Sequence, residues 1–151
     1  MSEEVKSLAA VVLRRNISQA QDSQDVTNPE NNKNIWERIS GEAKEFVKSA
    51  LIQTVNGCAS KQLCHKICNL IIEVGGSLYE QEEVVWQDML NLVFNFVNSD
   101  DTLKIDAALQ IFNGLFSYML DYLVKFKGDL LQIFIKTMQH PNLDVNLAAV
   151  Q

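Results

Sequence analysis

The sequence predicts an all-α fold, an α-solenoid built from stacked helix pairs. Three observations carry that expectation. Apolar residues recur at spacings of three and four along most of the chain, the only two prolines, Pro29 and Pro141, lie outside those periodic segments, and one apolar signature returns at regular intervals. β-Strands find little support, because the β-branched residues sit inside 3.6-residue stripes and no Asn-Gly pair is flanked by alternating apolar residues.

Taken in order, Val5, Leu8, Ala9, Val12 and Leu13 mark one apolar stripe of a helix over 4–16. Between Gln19 and Asn34 the chain reads QAQDSQDVTNPENNKN, with Val26 as its only large apolar residue, which predicts a polar flexible loop over 19–34. A second helix reads from Gly41 to Val55. Ser40 is its N-cap, Phe46, Val47, Ala50, Leu51 and Val55 face inward, and Asn56-Gly57 stops it. The third begins after Ser60 with Leu63, Cys64, Ile67, Leu70, Ile71 and Val74 inward, and Gly75-Gly76 is expected to end it. A fourth spans 82–98 through Val85, Met89, Leu92, Val93 and Phe96. The fifth, over 101–118, carries Ala108, Ile111, Phe112, Leu115 and Phe116, with Gly114 in its middle allowing a close helix approach. A sixth spans 120–139 through Leu123, Leu130, Ile133, Phe134 and Thr137, and Asn142 opens a seventh that runs to Gln151.

Composition bounds the function. With 151 residues, 47% of them hydrophobic and 21% charged, the chain buries a real core and fits one domain. Its apolar runs, such as Leu8–Leu13, fall far short of the roughly 18 residues a membrane span needs. The start, Met1-Ser2-Glu3-Glu4, is acidic where a secretory signal is basic, so the protein is expected to stay inside the cell and the sequon Asn16-Ile17-Ser18 reads as a chance match. A net charge of −6 argues against nucleic acid, whose binders need positive charge to displace phosphate counterions. All of that excess lies in residues 76–151, with ten acids against four bases. Glu80, Glu82 and Glu83, and then Asp100 and Asp101, precede apolar runs and are expected to complement helix dipoles; the other acids are available for a basic partner.

The signature that repeats is an apolar residue followed three and four positions later by an apolar pair: Val5/Leu8-Ala9, Ile67/Leu70-Ile71, Ile105/Ala108-Leu109 and Val145/Ala148-Ala149. Counted from their first residues, the intervals are 62, 38 and 40. The last two approach the roughly 40–47-residue period of HEAT or armadillo units, and leaving out 19–34 brings the first to about 46. A right-handed superhelical stack of about three and a half HEAT pairs follows, with A helices at 41–55, 82–98 and 120–139 and B helices at 4–16, 60–75, 101–118 and 142–151. The first helix lacks a partner and the last is cut inside LAAV, so 1–151 reads as a single fragment of a longer solenoid, with apolar ends through which it is expected to self-associate.

No catalytic chemistry emerges. Cys58, Cys64, His65 and Cys68 carry ligand atoms suited to zinc, but Cys64 lies on the same stripe as Ile67, Leu70 and Ile71 and no second CxxC pair exists, so no metal is expected. Cys64 and His65 are adjacent and point about 100° apart on a helix, which rules out a nucleophile pair. Gly75-Gly76 lacks the Lys-Ser/Thr of a phosphate loop. Neither a cofactor nor a pocket of convergent titratable groups is expected, and Trp36 and Trp86, near the starts of A helices, are expected to pack between repeats.

The words SLAAVVLRRNI at 7–17, IWERIS at 35–40 followed by Lys48-Ser49-Ala50-Leu51, KQLCHKICNLIIEVG at 61–75, VWQDMLNLVFNFV at 85–97 and AALQIF at 107–112 occur in order. Together they resemble the N-terminal HEAT repeats of the karyopherin-β (importin-β) nuclear transport receptors, in particular the importin-five type. Two departures stand out: the link after the first helix is longer than usual, and Gln87 stands where the family often has Pro after the Trp. The resemblance implies a non-enzymatic receptor that binds GTP-bound Ran, cargo proteins with basic signals and nucleoporins, and that shuttles between cytoplasm and nucleus. The alternative is another HEAT scaffold, such as a phosphatase regulatory subunit. Family members grip Ran with the B helices of their first repeats. Here those helices carry polar stripes, Lys66, Asn69 and Glu73 on one and Asp106, Gln110 and Asn113 on the other, and these six residues are the expected Ran contacts.

Overall fold

The computed structural model describes residues 2–18 and 35–149, and the loop expected over 19–34 lies outside the described residues. Among the described residues eight α-helices follow one another: α1 Glu3–Ser18, α2 Ile35–Arg38, α3 Gly41–Asn56, α4 Lys61–Glu82, α5 Gln87–Val97, α6 Thr102–Leu123, α7 Lys127–Met138 and α8 Leu143–Ala149. A 3-10 turn, Val124–Phe126, joins α6 to α7. The described residues contain no strand, and none of their helices is long and apolar enough to cross a membrane.

The helices form two rows. In one row α1 packs on α4, α4 on α6 and α6 on α8; in the other, α3 only grazes α5. Between the rows α3 packs on α4, α5 on α6 and α7 on α8, each pair joined by a short connection that makes it antiparallel. This is the expected all-α repeat solenoid, with α3, α5 and α7 as A helices and α1, α4, α6 and α8 as B helices. Its core lies where α4, α5 and α6 meet, around Ile71, Val74, Met89, Val93, Ala108, Ile111, Phe112 and Leu115, all buried. Phe94 leans edge-on against Phe112 there, with ring centroids 5.7 Å apart.

Local chemistry explains several helix starts. Ser40 Oγ accepts from the Ala43 amide at 3.3 Å, Ser60 Oγ from Leu63 at 3.5 Å and Asp101 Oδ1 from Leu103 at 2.9 Å, each satisfying an amide that the first turn leaves open. Gln87 is the first residue of α5, the position at which proline is most favoured, so Gln standing where the receptors it resembles often carry Pro leaves the helix start in place.

Several expectations are corrected. Gly75-Gly76 does not end α4, which runs on to Glu82; both glycines lie mid-helix, where Gly75 faces Met89 and Leu115 and Gly76 faces the Tyr118 ring. Glu80 and Glu82 therefore lie in the last turn of α4 and Glu83 is its cap, at φ 53, so these acids sit at the wrong end of a dipole, and α5 starts at Gln87 instead of 82. The helices expected over 101–118 and 120–139 divide differently. The first extends to Leu123 through a kink at Met119 (φ −134, ψ 39), and the second starts only at Lys127. Phe46 points to solvent, 75% exposed, and Phe116 is half-buried. In α1 the face was inverted: Ala10 and Ile17 are buried and Leu13 half-buried, whereas Val5, Leu8, Ala9 and Val12 are exposed. Gly114 performs as expected, its Cα lying against Ile72 of α4.

Candidate partner-binding face

The polar stripes of α4 and α6 face one another across the B row and are largely consumed in bonds between helices. Gln110 Nε2 donates to Asn69 Oδ1 at 2.9 Å and to the carbonyl of His65 at 3.2 Å. Asp106 is held by His65 (Nε2 to Oδ2, 2.5 Å) and by Lys61 at 3.5 Å. On the other flank of α4, Lys66 donates to Ser7 Oγ, and Arg14 reaches Glu73 Oε1 at 3.3 Å from both Nε and Nη2. The second Glu73 oxygen accepts from the Tyr118 hydroxyl at 3.2 Å. Burial and the neighbouring Glu73 carboxylate push the Tyr118 phenol above its ordinary range. Asn113 is exposed, one turn further along α6.

A polar ladder thus crosses three B helices. Its sequence offsets are regular: 59 residues for Ser7–Lys66 and Arg14–Glu73, 41 for His65–Asp106 and Asn69–Gln110, and 45 for Glu73–Tyr118. Constant offsets mean parallel helices in fixed register. The first two values lie three residues, one helical turn, from the intervals of 62 and 38 that separate the apolar signatures. Sequence reasoning placed Lys66, Asn69, Glu73, Asp106, Gln110 and Asn113 on two open stripes, and the structure brings all but Asn113 into the ladder. It missed Ser7, Arg14, Lys61, His65 and Tyr118. Ser7 and Arg14 had a visible signal, since they stand seven apart as Lys66 and Glu73 do, while Tyr118 reads as apolar in any periodicity count.

Elsewhere the titratable groups do not converge. The thiols of Cys58, Cys64 and Cys68 lie near the start of α4, with Cys64 and Cys68 buried; the hydrogen bond with Cys64, and after it burial, pushes Cys68 well above the ordinary thiol range, and burial raises Cys58. Among the described residues no group of three or more His, Cys, Asp or Glu is placed to hold a metal ion. Trp36 and Trp86 are both buried, packed as repeat-filling side chains, each with an indole N–H that finds no acceptor. Trp36 belongs to the short α2, over which the Lys44 ammonium sits 5.7 Å from the ring. On the A side, a groove of about 400 Å³ between α3 and α5 is lined by amides, Gln53, Asn56, Asn91 and Asn95, over a floor of Ile52, Leu92 and Phe96. Its Glu45 and Lys48 neutralise one another at 2.6 Å.

Residues 59–151, the stretch from just before α4 through α8 that holds both stripes, match the family model described as IPO5-like, TPR repeats. The chain belongs to this importin-5-like family. The family is one of nuclear transport receptors, and the importin-5-like repeats here are helix pairs in a solenoid, as the karyopherin resemblance implied. Although the family's description says TPR, equivalent positions in this importin-5-like chain stand 38 and 40 residues apart, nearer to a HEAT period than to the 34 residues of a tetratricopeptide unit. No solved structure matches the chain.

Proposed function

We propose that this chain is a partner-binding segment of a nuclear import receptor, which takes cargo with basic signals in the cytoplasm, passes the pore through nucleoporin contacts and releases cargo on meeting GTP-bound Ran. The observation that carries the reading is the importin-5-like match over 59–151, which includes every B helix bearing a polar stripe except α1. Ran is assigned to the B face at Lys66, Asn69, Glu73, Asp106, Gln110 and Asn113. The ladder supports a division of labour among them. Asn69 and Gln110 hold the helices in register, Glu73 and Asp106 present carboxylates already oriented by Arg14, Tyr118, Lys61 and His65, and Lys66 and Asn113 stand at the exposed margins. Oriented acids lose less freedom on meeting a basic surface than free side chains do.

The test is binding of the chain to Ran loaded with GTP or GDP. Preference for the GTP form supports the reading, and equal binding or none overturns it. Charge reversal at Glu73 or Asp106 would strand Arg14 or Lys61 beside a new cation, so these variants need a stability control. Asn113→Lys is cleaner, because the position is exposed and outside the ladder and should change stability by no more than about 0.5 kcal/mol, whereas Lys66→Glu also removes the bond to Ser7 and needs the same control. Each is expected to alter the affinity for GTP-bound Ran about tenfold if central to the contact, and mainly the association rate if on its rim.

A further inference from the structure

α1 is a B helix with an uncovered apolar face. In α4 and α6 the signature residues Ile67, Leu70 and Ile71, and Ile105, Ala108 and Leu109, are all buried, each helix being backed by an antiparallel A helix. The corresponding face of α1 is open. Val5, Leu8, Val11 and Val12 are 51%, 65%, 47% and 52% exposed, and among the described residues α1 packs mainly on α4 and on the four-residue α2. The ends of this face are charged with opposite sign. Glu4, Leu8, Val11, Val12 and Arg15 fall at i, i+4, i+7, i+8 and i+11, so one outward stripe carries an acid at its N-terminal end, a base at its C-terminal end and apolar side chains between them. Both charged residues are exposed.

We propose that this face docks against the α1 of a second copy of the chain, the two helices running antiparallel about a two-fold axis near Ala9 and Ala10. That axis sets Leu8 of one copy against Val11 of the other and Glu4 against Arg15, twice over, as a self-complementary interface requires. Neither end of the stripe then meets a like charge, whereas a parallel pairing would bring Glu4 to Glu4 and Arg15 to Arg15. The second copy also supplies an antiparallel helix of the kind that backs α4 and α6. One helix face covers less than the roughly 800 Å² per partner of a standard interface, so the dimer is reversible and concentration-dependent.

The experiment is sedimentation equilibrium of the 151-residue chain over a wide concentration range, with circular dichroism to verify the fold of each variant. Leu8→Glu is expected to give a monomer. Glu4→Arg and Arg15→Glu are each expected to weaken the dimer about tenfold by opposing like charges. The double variant Glu4→Arg, Arg15→Glu restores complementarity and is expected to return to within about threefold of the original. Both single changes also oppose the helix dipole, but that effect adds in the double variant where pairing cancels. A chain that stays monomeric, a dimer indifferent to Leu8→Glu, or a double variant weaker than either single would each overturn the proposal.

Discussion

At Gly114 the space a β-carbon would need is already filled by Ile72, whose Cγ1 and Cγ2 would lie 2.8 Å away. Ile72 is branched at its own Cβ and cannot swing aside within a helix. Gly114→Ala is therefore expected to cost a net 1–2 kcal/mol, roughly, the overpacking outweighing the gain of about 1 kcal/mol in helix propensity. Gly75 makes the contrasting case. Its added carbon would meet Met89 Sδ at 2.7 Å, the far end of a flexible side chain, so Gly75→Ala should fall within about 0.5 kcal/mol of the parent. Urea unfolding midpoints of the two variants would separate packing from propensity at two helical glycines. Tyr118 offers a pH-dependent test. Its phenol, 10.0 when unperturbed, is raised in the fold by burial and by Glu73, so the folded state holds the proton to higher pH than the unfolded chain. This contribution is fully present below pH 10 and is lost as pH rises from there through the folded-state value. The parent Tm should thus fall more steeply above pH 10 than that of Tyr118→Phe, as measured by thermal unfolding from pH 9 upward.

Among the helices, the end of α4 departs furthest from ordinary helix chemistry. Glu83 adopts φ 53 where glycine is the usual residue, and it adds negative charge beside Glu80 and Glu82 at the carboxyl end of the dipole. Among the described residues the ion pair at this end is that of Glu82 with Lys44, at 2.5 Å. Glu83→Gly is expected to stabilise the protein by about 0.5–1 kcal/mol, because the left-handed backbone is free to glycine and one misplaced charge is removed. A rise in Tm would verify this, and a fall would mean that Glu83 makes a contact worth more than its strain. The same helix shows what was legible in the sequence. Ser60 marked its start because a capping hydroxyl is a local device readable from one residue. Its end was misplaced because Gly75-Gly76 looks identical whether it caps a helix or admits a neighbour, and only Met89, Leu115 and Tyr118, distant in sequence, distinguish the two. The kink at Met119 left no proline or glycine to read at that position.

Across the whole molecule, periodicity revealed which residues share a face but not which way the face turns. That is why the apolar stripes of α4 and α6 were read correctly and that of α1 was inverted: Val5, Leu8 and Val12 carry the same pattern as Ile67, Leu70 and Val74 but, among the described residues, have no A helix to cover them. The candidate site was half legible. Helix phase groups the six polar residues on two stripes, yet the partners that hold five of them lie 41 to 59 residues away, beyond any local pattern. The two rows of the stack also differ mechanically. B helices are cross-linked at several heights by the ladder. Neighbouring A helices stand apart across open wedges, one floored by Ile52, Leu92 and Phe96, the next by Phe94 and Ile133 and spanned by a 3.2 Å link from Lys136 to Asn98. Under bending, the B row behaves as the inextensible layer of a laminated strip and the A row as its pleated side. A change in curvature then opens or shuts the wedges at little cost beyond exchanging water, whereas lengthening the B row would have to break Arg14–Glu73, His65–Asp106 and Asn69–Gln110 together.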